Sequence, residues 1–100
     1  MVYVRGHGKD QDRWAEEIGD EKWNNDHLLP YFIKAQNFYG AANGDTYKGT
    51  NGPLHVADGE LNTPLYKAFI QAGIEAGYPE TKDVNGYKQE GFGRLPMTGN

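Results

Sequence analysis

The sequence predicts an α+β chain of about three helices with a few short strands, and three observations lead there. Thr63-Pro64 is a hydroxyl cap with proline at the first helical position, and Leu65, Ala68, Phe69, Ala72 and Ala76 follow as one apolar stripe. Gly52-Pro-Leu-His-Val-Ala57 alternates like a short strand, Leu54 and Val56 to one side and His55 to the other. The chain of 100 residues holds 14 glycines, against a usual share of about 7%. Asn-Gly pairs at 43–44, 51–52 and 85–86 cut what remains into turns, because both residues tolerate positive φ.

Taken in order, Met1 to Val4 is a strand-like apolar run that feeds a Gly6-His7-Gly8 turn. The first helix is expected from about Asp10 to Ile18, capped by Asp10 or Asp12 and stopped by Gly19. Trp14 and Ile18 share one of its faces, and Glu16 and Glu17 belong to its solvated side. Asn24-Asn25-Asp26 is the next cap. Pro30 interrupts the helical spacing of Leu28, Leu29, Phe32 and Ile33, so a turn over 26–29 and a main helix from Pro30 to about Phe38 are expected. Residues 39–52 read as a loop, and Pro53 suits an edge strand. The third helix ends at Gly77, with Pro79 barring continuation. The glycine-spaced aromatic tail has room for an extended segment around Gly91 to Met97 that needs a neighbour to pack on.

Composition bounds the function. One hundred residues support one domain, and 13% aromatic residues are enough for a core built on large rings. The net charge of −4 comes without a basic cluster, which argues against nucleic-acid binding. No apolar run reaches the length of a membrane span, and no secretory leader is visible. With no cysteine, disulfides, thiolate catalysis and Cys-ligated zinc are excluded, and a cytoplasmic location is expected.

The chemical motifs are sparse. Gly6-His7-Gly8 is either a phosphate cradle or, the favoured reading, a strand-to-helix turn. Gln11 stands where a dinucleotide fingerprint needs its third glycine. His7, His27 and His55 match no metal spacing, and no carboxylate pair is singled out, so neither catalytic nor metal residues are assigned. Tyr87 and Phe92 are a candidate surface for an organic cation, with plain packing the favoured reading.

Seven blocks in one order carry a resemblance. They are Met1-Val-Tyr-Val-Arg-Gly-His7; Asp12-Arg-Trp14; Leu28-Leu-Pro-Tyr-Phe-Ile-Lys-Ala-Gln36 after Trp23; Tyr47-Lys-Gly-Thr-Asn-Gly-Pro-Leu-His-Val56; Pro64-Leu65 with Phe69 and Ala72; Ala76-Gly-Tyr-Pro79; and Asp83-Val-Asn-Gly-Tyr-Lys-Gln-Glu-Gly-Phe-Gly93 with Met97-Thr98. Together they resemble the glucose–methanol–choline (GMC) oxidoreductases, and within that family its choline-oxidising members. The resemblance implies an internal piece of a larger FAD-dependent enzyme, one that oxidises a choline-like alcohol by hydride transfer to flavin on the way to glycine betaine. It places Met1, Val2 and, more weakly, Tyr3 beside the flavin ring. Residues 1–52 would accompany the FAD domain, and 53–100 would open the substrate-binding region. The family's dinucleotide-binding glycine loop and its catalytic histidine match nothing in this chain. The expectation is therefore that the chain alone holds no FAD and is inactive, with a membrane-associated parent enzyme as the alternative to a cytoplasmic one. The alternative is a separately encoded, non-catalytic domain that self-associates or binds a partner through exposed apolar surface.

Overall fold

The computed structural model describes residues 1–41, 44–60 and 62–99. The order of elements is α1 (Gly8–Ile18), a single 3₁₀ turn (Glu21–Trp23), α2 (Asn25–Ala35), β1 (Gln36–Phe38), β2 (Leu54–Asp58), α3 (Pro64–Glu75) and β3 (Pro96–Thr98). The α+β expectation of three helices with short strands holds.

α1 starts two residues earlier than expected, because its cap is His7 rather than Asp10 or Asp12. The His7 ring accepts from the Lys9 N–H, and the Asp10 carboxylate answers by accepting from the His7 N–H. Asp12 is used elsewhere and accepts from the N–H of Asn25, the first residue of α2. Gly19 closes the helix in the left-handed conformation at φ 68°, which a residue with a Cβ rarely adopts. The face shared by Trp14 and Ile18 is exposed, and the one fully buried residue of α1 is the polar Gln11.

α2 departs further. It begins at Asn25, with the Asn24 side chain capping the His27 N–H, and runs through Pro30 instead of starting there. Pro30 deprives only the Asp26 carbonyl of its donor, and Asp26 lies in the first turn of α2 at the solvent side. The helix ends at Ala35, not Phe38, because long-range pairing wins over the helical spacing. The Gln36 carbonyl accepts from the Gly52 N–H, and the Phe38 N–H donates to the Gly49 carbonyl. Both glycines are there for close approach. A side chain at Gly52 would collide with the Ala35 backbone, and one at Gly49 with the Ile33 carbonyl.

The sheet runs β1-β2-β3. β1 and β2 are parallel, with Gln36, Asn37 and Phe38 beside Leu54, His55 and Val56. A parallel pair needs a long crossover, and here the segment between Phe38 and Leu54 makes it, with no helix among its described residues. β2 and β3 are antiparallel, Val56 opposite Thr98. Strand β2 begins two residues later than the sequence suggested and includes Asp58. The tail strand is shorter than expected, Pro96–Thr98 only.

The core is small. Among the described residues its buried apolar side chains are Phe38, Val56 and Pro96, and the buried polar ones are Gln11, Gln36, Thr81 and Asn85. The expected aromatic core does not form: of the large rings, only Phe38 is buried. The stripe on α3 is likewise out in the open, with Leu65 at 78% and Phe69 at 68% exposure. α3 leans instead on the tail. Phe92 packs against Phe69 and Tyr78, at ring-centre distances of 5.4 and 5.7 Å, and lies flat over Gly73, where any side chain would enter its ring.

Candidate functional site

The first residues add a partial fourth strand beside β3. Val2 bridges Met97, the Tyr3 N–H donates to the Pro96 carbonyl (2.9 Å), and the Thr98 N–H donates to the Met1 carbonyl (2.7 Å). In antiparallel pairing, polar groups alternate sides. Val2 therefore turns its own N–H and C=O away from β3, to the open edge. Met1 is almost fully exposed, Val2 is half exposed and Tyr3 is partly buried. The three residues singled out from the sequence thus lie together on an accessible sheet edge.

Sequence reasoning missed what holds that edge. Arg5 turns inward and donates from its guanidinium to three acceptors: the Tyr3 hydroxyl (3.2 Å), the Tyr47 carbonyl (2.6 Å) and Gln36 Oε1 (2.6 Å). The same guanidinium lies 5.6 Å from the Phe32 ring centre, a cation–π contact. Side-chain amides grip the main chain on either side. Asn85 accepts from the Arg5 N–H and donates to the Tyr3 carbonyl. Gln89 donates to the Gly6 carbonyl and accepts from the Gly8 N–H, and Gln11 donates to the Arg5 carbonyl. Residues 3–8 are therefore held by α1, β1 and the 85–89 turn at once. A cavity of about 20 Å³ remains among Arg5, Gln11, Asn25, Asn85 and Gln89, the size of one water. The one available signal was Arg5 itself, a lone charge in an apolar run.

A second polar cluster stiffens the crossover loop. Lys48 donates to Asp83 (2.6 Å) and Asp45 (3.1 Å), and its ammonium lies 4.9 Å from the Phe38 ring centre. Burial works against the Lys48 charge, but Asp83 and Asp45 outweigh it and raise its pKa. Burial also opposes the charge of Asp45. The N–H of Tyr47 and the contacts from Lys48 overcome this, so its carboxyl is held below the ordinary range.

The remaining candidates do not converge. His7 caps α1, His27 sits in the first turn of α2 against Asn24, and His55 lies on β2, 3.4 Å from the Asn37 side-chain nitrogen. Among the described residues no three His, Asp or Glu side chains approach one another closely enough to hold a metal. The Gly6–Gly8 turn is not a phosphate cradle: the His7, Gly8 and Lys9 N–H groups are already bonded to Asp10, Gln89 and His7. Phe92 is committed to packing, and Tyr87 stands alone at 87% exposure.

With this geometry in view, the chain belongs to the GMC oxidoreductase family, whose sequence profile matches residues 1–100. It is 54% identical over 98 residues to mitochondrial choline dehydrogenase of Mus musculus, covering 98% of this chain and 16% of that protein. It is 55% identical over 100 residues to oxygen-dependent choline dehydrogenase of Vibrio vulnificus (strain YJ016), covering 98% and 17%. Among solved structures it superposes on pyridoxine 4-oxidase from Mesorbium loti with a TM-score of 0.79 at 34% identity, covering 91% of this chain and 18% of that one. An FAD-dependent oxidoreductase from Chaetomium thermophilum gives a TM-score of 0.75 at 30% identity, covering 90% and 17%. The chain thus spans 16–17% of the length of these choline dehydrogenases.

Proposed function

We propose that this chain forms the flavin-side edge and the beginning of the substrate-binding region of an FAD-dependent enzyme that oxidises choline or a similar alcohol to its aldehyde. The supporting observation is the pre-set edge Met1–Tyr3, exposed outward and fixed from behind by Arg5, Asn85 and Gln89. It occurs in a chain about half identical to choline dehydrogenases. When bound, the flavin would supply the hydride acceptor. The part assigned to this chain is positional. The outward-turned N–H and C=O of Val2 suit the polar rim of a flavin ring, and the Val2 side chain offers an apolar surface beside it. The described residues fit a ring edge and not a dinucleotide: the His7, Gly8 and Lys9 N–H groups are already engaged by Asp10, Gln89 and His7. By itself the chain would neither retain FAD nor oxidise choline.

One observation favours a second reading, a non-catalytic module that associates with itself or with a partner: the exposed apolar face of α3, with Leu65, Tyr66 and Phe69. Two experiments separate these readings. First, residues 1–100 replace the matching segment of the Vibrio vulnificus enzyme, and flavin loading and choline oxidation are measured. A loaded, active chimera is expected, whereas a folded chimera that does not load flavin would overturn the assignment. Second, the chain alone is titrated with FAD, following flavin fluorescence and light scattering. Saturable binding at micromolar FAD would contradict its inactivity in isolation, and self-association without FAD binding would support the module.

A further inference from the structure

We propose that His7 makes the start of α1 a pH-sensitive joint: the neutral imidazole caps the helix, and protonation removes the cap. This is independent of the flavin reading and rests on the two ring nitrogens having opposite tasks. Nδ1 accepts from the Lys9 N–H at 3.1 Å, so it must carry a lone pair. Nε2 lies 3.3 Å from Glu90 Oε1, an acceptor, so it must carry the proton. Only the neutral Nε2–H tautomer satisfies both. A protonated ring is a donor at both nitrogens, and the Lys9 N–H then faces another N–H.

The surrounding charges decide the balance. Glu90 reaches His7 from the tail, Asp10 accepts from the His7 main-chain N–H, and Lys9 follows directly in the chain. Arg13 lies 3.9 Å from Asp10, on the same helix. Glu90 favours the imidazolium, but its side chain is 79% exposed, and an ion pair so open to water gives little. Against it stand the lost cap and a positive charge placed at the positive end of the helix. Protonation of the ring therefore takes the cap from the first turn of α1. The effect reaches further than the cap. The next N–H, of Gly8, is held by Gln89, whose amide also holds the Gly6 carbonyl behind the exposed edge. Histidine is the side chain that ordinarily changes charge between about pH 5 and 8, which sets the range of the test.

The test is an NMR titration of the full chain from pH 8 to 5, reading the His7 ring nitrogens and the backbone of residues 8–11. The Nε2–H tautomer is expected at pH 8. As His7 protonates, the shifts of residues 8–11 should move toward coil, and the protection of the Lys9 amide, corrected for intrinsic exchange, should fall about fivefold. His7→Asp and His7→Asn can both cap without titrating in this range, and should leave residues 8–11 unchanged with pH. Glu90→Gln should keep the wild-type response. The proposal is overturned if the Nδ1–H tautomer is found at pH 8, if residues 8–11 stay helical as His7 protonates, if either His7 variant shows the same pH response, or if Glu90→Gln abolishes it.

Discussion

The junction around Arg5 and the helix α3 hold their positions by opposite means. At the junction, one guanidinium and four side-chain amides bind segments far apart in sequence, and no buried side-chain polar atom among the described residues lacks a partner. Along α3, apolar side chains stand in water and the helix rests on one ring, Phe92. Hydrogen bonds are directional, so a network can fix the edge Met1–Tyr3 with little buried area. Apolar burial is non-directional and grows with area, so α3 is held weakly until something covers it.

This contrast can be broken at several points. The largest effect is expected from Gly49→Ala. The new methyl would meet the Ile33 carbonyl and stand 2.8 Å from the Gln36 carbonyl, both backbone atoms that cannot step aside. A loss of about 3 kcal/mol or more is expected, seen as a fall in thermal midpoint by circular dichroism. Arg5→Ala comes next. It leaves the Tyr47 carbonyl without its donor and Gln36 Oε1 with only the Gly49 N–H. About 2–3 kcal/mol should go, with loss of protection at the Tyr3 amide. Arg5→Lys should recover only part, because an ammonium does not match the planar fork of a guanidinium.

The Lys48 cluster gives a pH dependence of defined sign. The Asp45 pKa is lowered on folding, so its contribution is present above the ordinary carboxylate range, near 3.8, and is lost as pH falls through the lower folded value. The Lys48 pKa is raised, so its contribution is complete below about 10.5 and is lost as pH rises through the higher folded value. Stability from this cluster should be level across neutral pH and decline at both extremes. Asp45→Asn should flatten the acid limb in denaturant melts taken at several pH values. The smallest effect belongs to Leu65→Gln. Leu65 is 78% exposed, so stability should change by less than about 0.5 kcal/mol, read as a nearly unchanged thermal midpoint; under the second reading, light scattering should show weaker self-association.

How legible each region was in the sequence follows from the same contrast. α3 was readable because Thr63-Pro64, its stripe and Gly77 are local signals, although Thr63 makes no side-chain cap bond and the stripe does not mark a buried face. Met1, Val2 and Tyr3 are singled out by resemblance alone. Their support was not found, because Arg5, Gln36, Asn85 and Gln89 are brought together only by the tertiary fold, across as many as 83 positions. The end of α2 is not legible in the sequence for a related reason. Leu28 to Phe32 have helical spacing, but nothing nearby says that Gly49 and Gly52 will capture the backbone from Gln36 to Phe38. His7 matches no metal spacing in the sequence, and its work in the fold is to cap the helix it precedes.

Amide hydrogen exchange on the isolated chain tests the contrast most directly. The amides of Phe38, Tyr39 and Gly52, bonded to Gly49, Val56 and Gln36, should be protected roughly tenfold or more beyond those of Phe69 to Gly73 in α3. The Tyr3 amide should follow the first group. Equal or greater protection of α3 would mean that the helix is held without a cover and that the polar junction is not what organises this chain.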